Sequence, residues 1–309
     1  MKKITFSRFP VIFAVLLSLF LITSCRNEKS GSESVPEYTF SFAFLTDIHL
    51  QPEKNAVEGF QQAIDTLNKL KPDFVITGGD LIMDALAQTE GRADTLYNLY
   101  LEAIKEIDMP IYNTIGNHEL FGIYEKSGIY PSHELYGDKM FGNRIGEKHY
   151  AFNHKGWRFY ILDAIDETEE RTYYGHIDQE QMDWLKQDLN SVDKKTPIAI
   201  SVHIPFITVQ TQLLQGPLAP NGPGGVITNG QEVLELFKDF NLKLVLQGHL
   251  HFLEDIYAQG IHFITGGAVS AAWWNGPRNG MEEGFLLVKI SDDELTWDYI
   301  DFGWEVVEE

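Results

Sequence analysis

The feature that most constrains this chain is a recurring pattern in which a short apolar run ends in residues that can bind a metal. Asp47-Ile48-His49 follows the run 42–46, and Gly248-His249-Leu250-His251 follows the run 244–247. A single motif of this kind predicts only a polar turn after a strand, whereas several in one chain predict a shared site. Three further runs end in the same way, at Gly78-Gly79-Asp80, at Gly116-Asn117-His118-Glu119 and at His203.

Helices are predicted between these runs. Residues 55–70 carry apolar side chains at helical spacing and are followed by Pro72, which ends a helix, and residues 93–107 repeat the pattern. Strands that alternate with helices favour an α/β sheet whose crossovers are helical. Ligands bind such sheets beyond the carboxyl ends of the strands, so we expect the topology to gather the polar motifs.

The remaining chain predicts further elements. Residues 206–225 form a long loop rich in proline and glycine, which either faces the substrate or only connects two elements. Residues 178–189 and 231–240 are predicted helices, with Asn229 as a candidate cap of the second. A short helix is expected around 132–141 and a hairpin of strands 150–153 and 157–163. Further strands are expected at 40–45, 74–77, 111–115, 197–202, 244–246, 262–265, 285–290 and 295–300.

The composition narrows the choice of partner. The formal net charge is −21 and the pI is near 4.8, which argues against nucleic acid as a stable partner. Hydrophobic residues make up 44% of the 309 residues, enough for a sizeable core. A small phosphorylated substrate would need local positive charge in order to bind so acidic a protein.

Residues 1–24 are predicted to be a removable leader. Lys2, Lys3 and Arg8 form a positively charged start, and the apolar run that follows is too short to span a bilayer comfortably. The segment Leu21-Ile22-Thr23-Ser24-Cys25 ends at the only cysteine and resembles the lipobox of bacterial lipoproteins. The alternative is an ordinary secretory signal, or a membrane anchor, with an incidental thiol.

The lipobox resemblance implies that Cys25 carries a lipid that attaches the protein to a membrane. It also implies a place in the bacterial cell envelope, facing the periplasm or the exterior. Residues 25–37 are rich in Ser, Glu, Lys and Gly and are predicted to be a flexible tether. Residues 38–309 then form one domain. A single cysteine excludes an internal disulfide.

The five motifs together supply enough ligands for two metal ions. Residues two apart on extended backbone point to the same side, so each Asp-x-His or His-x-His pair can reach into one cavity. Imidazole with carboxylate suits zinc, manganese or iron, and a carboxylate such as Asp80 can bridge two ions. Two such ions outweigh the charge of two carboxylates and a bridging hydroxide, so the centre would attract a phosphate ester. The candidate ligands are Asp47, His49, Asp80, Asn117, His203, His249 and His251.

In this order the motifs resemble those of the calcineurin-like metallophosphoesterase family, over residues from about 40 to 290. The resemblance implies an α/β fold, a β-sandwich of two mixed sheets flanked by helices. It implies hydrolysis of a phosphomonoester or phosphodiester at two divalent or mixed-valence ions, with His118 contacting the phosphate and assisting the leaving group. One ion would lie on Asp47, His49, Asp80 and His251, and the other on Asp80, Asn117, His203 and His249.

One position departs from the family pattern. Many members carry Asp, Asn or Tyr three residues after the bridging aspartate, where this chain has Met83. Without a tyrosine there, the iron-binding purple acid phosphatase subtype is not expected. An aspartate there often supports the catalytic histidine, so the partner that orients His118 stays open. Asp84 is either that partner or an ordinary loop carboxylate, and Glu119 is expected to be structural rather than a ligand.

Two functional classes follow from these motifs. The first is a phosphate ester hydrolase outside the cytoplasm, and the second is a surface lipoprotein that binds a ligand and keeps its metals for structure only. A purely structural site does not need the extra imidazole of His118, which favours the hydrolase. The other histidines lack partners at ligand spacing and are expected to be structural or exposed; they are His133, His149, His154, His176 and His262.

A loop after the last metal motif is the candidate for substrate choice. It contains Trp273, Trp274 and Arg278 among glycines, an unusual concentration of binding chemistry in an acidic chain. The tryptophans offer rigid surfaces for a base, a sugar or a phenyl group, and the arginine offers paired donors for an anion. The alternative is that the tryptophans cover the end of a sheet and the arginine is a solvated surface charge.

Overall fold

The computed structural model describes residues 39–292 and 294–306, so the predicted leader, the tether and Cys25 lie outside the described residues. Among the described residues, no helix is both long enough and apolar enough to cross a bilayer. The helices are α1 (Ala56–Leu70), α2 (Glu90–Ala103), α3 (Lys139–Arg144), α4 (Gln179–Leu189), α5 (Gln210–Gln215) and α6 (Gly230–Phe237). The strands are β1 (Phe40–Leu45), β2 (Phe74–Thr77), β3 (Ile111–Tyr112), β4 (Tyr150–His154), β5 (Trp157–Ile161), β6 (Ile165–Glu167), β7 (Tyr173–Gly175), β8 (Pro197–Ser201), β9 (Asn241–Gln247), β10 (Leu253–Ala258), β11 (Ile261–Gly266), β12 (Phe285–Ser291) and β13 (Glu294–Ile300).

Two mixed sheets form the framework. The first has the strand order β13-β12-β1-β2-β3, in which β1, β2 and β3 are parallel and the other pairs are antiparallel. The second has the order β10-β11-β9-β8-β5-β4, with a parallel centre and an antiparallel strand at each edge. Strands β6 and β7 pair separately. The expected α/β fold with two mixed sheets flanked by helices is confirmed.

An aromatic core lies between the two sheets. Phe42 of β1 stacks on Phe74 of β2 at 5.1 Å between ring centroids, and its ring meets the edge of Phe159 of β5 at 5.6 Å. These side chains are buried, and each contributes about 1.5–3 kcal/mol by leaving water. Because Phe42 and Phe159 belong to different sheets, their contact packs one sheet on the other. This packing holds the parallel strands of the two sheets face to face.

The helix boundaries follow local hydrogen bonds. Helix α1 ends where Lys71 adopts a left-handed conformation (φ 53°) and its N–H bonds to the carbonyl of Leu67, just before Pro72. Helix α2 begins earlier than expected because the Thr89 side chain accepts a bond from the Arg92 N–H. It also ends earlier, in a tight turn over 104–106, so the expectation of a helix to residue 107 is wrong at that end.

Several expected elements are placed differently. The short helix expected around 132–141 lies later in the chain, as α3 (Lys139–Arg144), since turns occupy 131–136 and Gly137 has a φ of 69°. The strand expected at 111–115 stops at residue 112, because the next residues bond to the side chain of Thr77 instead. Asn229 does not cap α6, since its side chain bonds both backbone groups of Ile177. The loop 206–225 contains α5, and strands β6, β7 and β10 were not expected.

Candidate metal centre

All five motifs lie just beyond the carboxyl ends of parallel strands. Those after β1, β2 and β3 come from the first sheet, and those after β8 and β9 come from the second. Because the sheets pack face to face, the ends of their parallel strands open onto one place. The structure brings together there Asp47, His49, Asp80, Asn117, His118, His203, His249 and His251.

The first group of ligand atoms comes from Asp47, His49 and His251. The Nε2 atoms of the two histidines are 3.0 Å apart, and Asp47 Oδ1 lies 3.3 Å from His251 Nε2. Asp47 Oδ1 is also 3.9 Å from His49 Nε2. All three side chains are buried. These three atoms therefore surround a space of the size that a single cation fills.

The second group comes from Asp80, Asn117, His203 and His249. His203 Nε2 lies 3.2 Å from Asp80 Oδ2, 3.1 Å from Asn117 Oδ1 and 3.2 Å from His249 Nδ1. Asp80 Oδ2 is also 3.6 Å from the Nε2 atom of His49, which belongs to the first group. One carboxylate oxygen thus lies between the two groups, where a bridging ligand would be.

The metal-binding atoms of these groups are better satisfied by metal ions than by hydrogen bonds to one another. Asp47 Oδ1 is buried without a hydrogen-bond partner, which is costly for a carboxylate oxygen. His251 Nδ1 lies 2.5 Å from the carbonyl of Ala271, and since a carbonyl only accepts, this nitrogen must donate. In the neutral ring the lone pair is then on Nε2, directed at Asp47 Oδ1 and at His49. Acceptors that face one another in a buried space are satisfied by cations.

The backbone at the strand ends is bent sharply to direct these side chains. A positive φ is uncommon for residues other than glycine and persists where the surroundings enforce it. Here the loops are tied together, since the Asp47 N–H bonds to Gly79 O at 3.0 Å and the His49 N–H to Asp80 O at 2.9 Å. Five of the predicted ligands have a φ between 47° and 71°, namely Asp47, His49, Asp80, His249 and His251.

His118 lies at the open side of the centre. Its Nε2 is 3.8 Å from Asp80 Oδ2, and its side chain is 22% exposed whereas that of Asp80 is 2% exposed. Its Nδ1 lies 2.5 Å from the backbone carbonyl of Met83 and must donate to it. The partner that orients His118 is therefore the main-chain carbonyl of Met83, the residue at which this chain departs from the family pattern. Asp84 instead accepts bonds from Leu86 and Gln88, as an ordinary loop carboxylate does.

Glu119 supports the loop that carries Asp80. Its buried carboxylate accepts the N–H groups of Asp80, Leu81, Ile82 and Gly116 at 2.7–3.1 Å. The expected structural role of Glu119 agrees with these bonds. Gly116 is extended rather than turned, with φ −112°. A Cβ there would collide with the backbone and side chain of Asp80, so glycine is required for close approach.

The electrostatics of the cluster draw positive charge into it. Burial raises the pKa of Asp47. Burial also acts to raise the pKa of Asp80, but the adjacent His203 and His118 outweigh it and hold that pKa well below its usual range. Burial would lower the pKa of His203, yet the carboxylate of Asp80 raises it to about 9.

The loop after β11 does only part of what the sequence suggested. Trp274 is 1% exposed, and its Nε1 donates to the carbonyls of Ile48 and His49 at 3.0 and 3.2 Å. The expectation that Trp274 contacts a substrate is therefore wrong, because the indole lies beneath the ligand loop and supports it. Trp273 is partly exposed, and its ring centroid is 4.6 Å from that of His251. Arg278 lies over the Trp273 ring at 4.6 Å.

The remaining histidines lie away from this cluster. None of them belongs to a group of ligand atoms close enough to hold a metal within the described ranges. Four face acidic side chains instead: His133 faces Glu90, His154 faces Asp73, His176 faces Asp166 and His262 faces Asp255.

The comparison with protein families agrees with the geometry. The family model described as calcineurin-like phosphoesterase matches residues 40–253. This chain belongs to the calcineurin-like phosphoesterase family. It is therefore a metallophosphoesterase, a phosphoric ester hydrolase, and the family implies a binuclear centre of divalent metals. The role of a purely structural metal protein is set aside.

Individual relatives are distant. A probable cyclic nucleotide phosphodiesterase of Synechococcus sp. is 25% identical over 224 residues, which cover 69% of this chain and 74% of that protein. A probable cyclic nucleotide phosphodiesterase of Xenorhabdus bovienii is 21% identical over 263 residues, covering 81% and 95%. A dimetal phosphatase from Danio rerio has a similar fold, with a TM-score of 0.61 at 16% identity, covering 85% of this chain and 96% of that one.

Sequence reasoning missed several residues that shape this phosphoesterase site. Thr46 donates to Asp47 Oδ2 at 2.7 Å and so fixes the carboxylate, and Ser270 donates to the Asp47 carbonyl at 2.7 Å. Thr46 directly precedes the ligand, which was a usable signal. Asn279-Gly280 is the strongest short signal for a tight hairpin turn, and it sets the position of Arg278. The role of the Met83 carbonyl could not be predicted from the sequence, because every residue has a main-chain carbonyl.

Proposed function

We propose that this phosphoesterase hydrolyses a phosphomonoester or phosphodiester at a two-metal centre in which Asp80 is the shared ligand and His118 assists the leaving group. The observation that carries the proposal is the position of Asp80 Oδ2, 3.6 Å from His49 Nε2, 3.2 Å from His203 Nε2 and 3.8 Å from His118 Nε2. The proposed ligands are Asp47, His49, Asp80 and His251 for one ion and Asp80, Asn117, His203 and His249 for the other.

Hydrogen bonds within the protein fix the directions in which the proposed ligands present their metal-binding atoms. When bound, two ions of manganese, iron or zinc would supply a nucleophile near neutral pH and would clamp the attacking and leaving oxygens. Main-chain carbonyls accept from the Nδ1 atoms of His203 and His251, so the Nε2 lone pairs of both rings are directed inward. Burial of Asp47 and Asp80 excludes water that would compete for their oxygens.

His118 is placed to move a proton. Since Nδ1 keeps its proton for the Met83 carbonyl, the proton that can leave the ring is the one on Nε2. The acid is then the imidazolium, and the neutral ring remains after the Nε2 proton passes to the leaving oxygen. The side chain of His118 is 22% exposed, which lets solvent return the proton.

The first test is a substrate panel for the metal-reconstituted full chain. The panel contains 4-nitrophenyl phosphate, bis(4-nitrophenyl) phosphate and the 3′,5′-cyclic nucleotides, because both bacterial relatives are probable cyclic nucleotide phosphodiesterases. We expect turnover of at least one ester, abolished by chelation and restored by manganese, iron or zinc. Hydrolysis that survives complete removal of metal would contradict the proposal.

We also propose that the protein is a lipoprotein of the bacterial cell envelope, attached to a membrane through Cys25. The support is the positively charged start, the apolar run and the segment Leu21-Ile22-Thr23-Ser24-Cys25. Cys25→Ser should abolish lipid labelling and shift the protein out of the membrane fraction, since each buried methylene adds about 0.8 kcal/mol to anchoring. If the variant stays in that fraction, a plain hydrophobic anchor is the better account.

A further inference from the structure

The loop that follows β11 is held in a strained conformation against the ligand loop. Ala271, Trp273 and Trp274 all have a φ between 47° and 65°, which is costly for side chains of this kind. The backbone N–H of Trp274 donates to the Ser270 carbonyl at 2.8 Å, and the Ser270 hydroxyl donates to the Asp47 carbonyl at 2.7 Å. The loop is therefore fixed relative to the metal ligands.

The strained backbone places Trp273 in contact with both a proposed ligand and a cation. Its ring centroid is 4.6 Å from that of His251, with the planes tilted by 41°. The guanidinium carbon of Arg278 is 4.6 Å from the same indole. A base or sugar ring from a substrate would have to displace one of these two neighbours before it could stack there. The indole is better explained as the support for Arg278.

Arg278 differs from the other arginines in lacking an acceptor. Among the five arginines in the part of the chain that the structure describes, three pair with a carboxylate and Arg171 bonds main-chain carbonyls. The guanidinium of Arg278 has no hydrogen bond or ion pair to any described residue, although it is partly buried. A partly desolvated group with five donors is costly to leave unpaired.

Both the backbone and the guanidinium of Arg278 are held in place. Its backbone pairs with Met281 through two bonds of 2.9 Å across a tight turn in which Asn279 and Gly280 have φ values of 52° and 81°. Its charge lies close to the centre, because the indole that it covers is 4.6 Å, between ring centroids, from the proposed ligand His251. An anion attracted by the centre would therefore also feel this cation.

We propose that Arg278, held on Trp273, binds a second anionic group of the substrate. The substrate class is then a phosphate ester that carries a further carboxylate, phosphate or sulfate a few ångströms from the reacting phosphorus. The guanidinium rests on the indole and makes no hydrogen bond or ion pair with a proposed ligand, which is why the second group, and not the phosphate at the ligands, is its partner. This inference rests on the proposed function, since it takes the reacting phosphate to lie against Asp47 and His251.

The test compares inert ligands that differ only in the second anion. Phenylphosphonate and its 2-, 3- and 4-carboxy derivatives are titrated calorimetrically into the manganese-loaded full chain, because their carbon–phosphorus bond resists hydrolysis. The wild type should bind at least one carboxy derivative about tenfold more tightly than phenylphosphonate, as a charge-assisted pair allows. Arg278→Met should remove this preference and leave phenylphosphonate binding within about twofold. Arg278→Lys should retain part of it.

Two further variants make the result specific. Trp273→Leu should weaken the preference without changing the metal content, because the support of Arg278 is lost. Arg92→Met removes a partly exposed arginine that pairs with Glu53, and it should leave the preference intact. A wild type without any preference, or a preference that survives in Arg278→Met, overturns the inference while hydrolysis of simple esters still stands. If no phosphonate binds at all, the proposed function falls together with it.

Discussion

At the scale of single residues, main-chain carbonyls orient the imidazoles of this site. His203 donates to Gly78 O at 2.7 Å, His251 to Ala271 O, and His118 to the carbonyl of Met83. Carboxylates often take this part around metals, and a sequence can reveal them. A carbonyl cannot be recognised in a sequence. For this reason the candidate ligands could be recognised from the motifs, and the partner of His118 could not.

The role of His118 is tested by removing its ring. His118→Ala should lower turnover about 10²–10⁴-fold while metal content stays near that of the wild type, because the ring moves a proton and is not a proposed ligand. Steady-state kinetics and metal analysis on one preparation give both numbers. Met83→Leu is the matched variant, and it should keep turnover within about threefold because it retains the carbonyl. Loss of both metals in His118→Ala would contradict this assignment.

At the scale of elements, the site is built from strand ends and from the loops that hold them. Apolar runs of four to seven residues reveal buried strands, and a polar motif directly after each run marks the same edge of a sheet. That part of the fold and of the site was predictable. Strands β6, β7 and β10 could not be predicted in this way. Only two residues in the three strands, which span 165–167, 173–175 and 253–258, are fully buried. Their sequences show no apolar run, and tertiary pairing decides their structure.

The loop after β11 gives the second test at this scale. Trp274→Ala should lower the free energy of unfolding by about 3–5 kcal/mol, since it empties a fully buried site and leaves two carbonyls without a donor. Trp273→Ala is the neighbouring control and should cost clearly less, because Trp273 is partly exposed. Urea unfolding of the two metal-loaded variants makes the comparison. Equal losses would show that Trp274 does not support the ligand loop as described.

At the scale of the whole molecule, two sheets share one centre. Asp47, His49, Asp80 and Asn117 follow strands of the first sheet, while His203, His249 and His251 follow strands of the second. Face-to-face packing of aromatic side chains is what brings these strand ends together. Metal bound at the centre would therefore also link the two sheets. With negative charge over the chain, positive charge brought to the centre by bound metal would direct an anionic ester to this one place.

The central claim is that two ions share Asp80, and counting bound metal tests it most directly. The full chain is stripped of metal, reloaded with manganese and analysed by plasma mass spectrometry, with circular dichroism to confirm that each variant is folded. We expect two ions per wild-type chain and loss of ions from both positions in folded Asp80→Ala, because each lacks a ligand. A wild type that is fully active with one ion, or an Asp80→Ala variant that keeps two, would contradict the account.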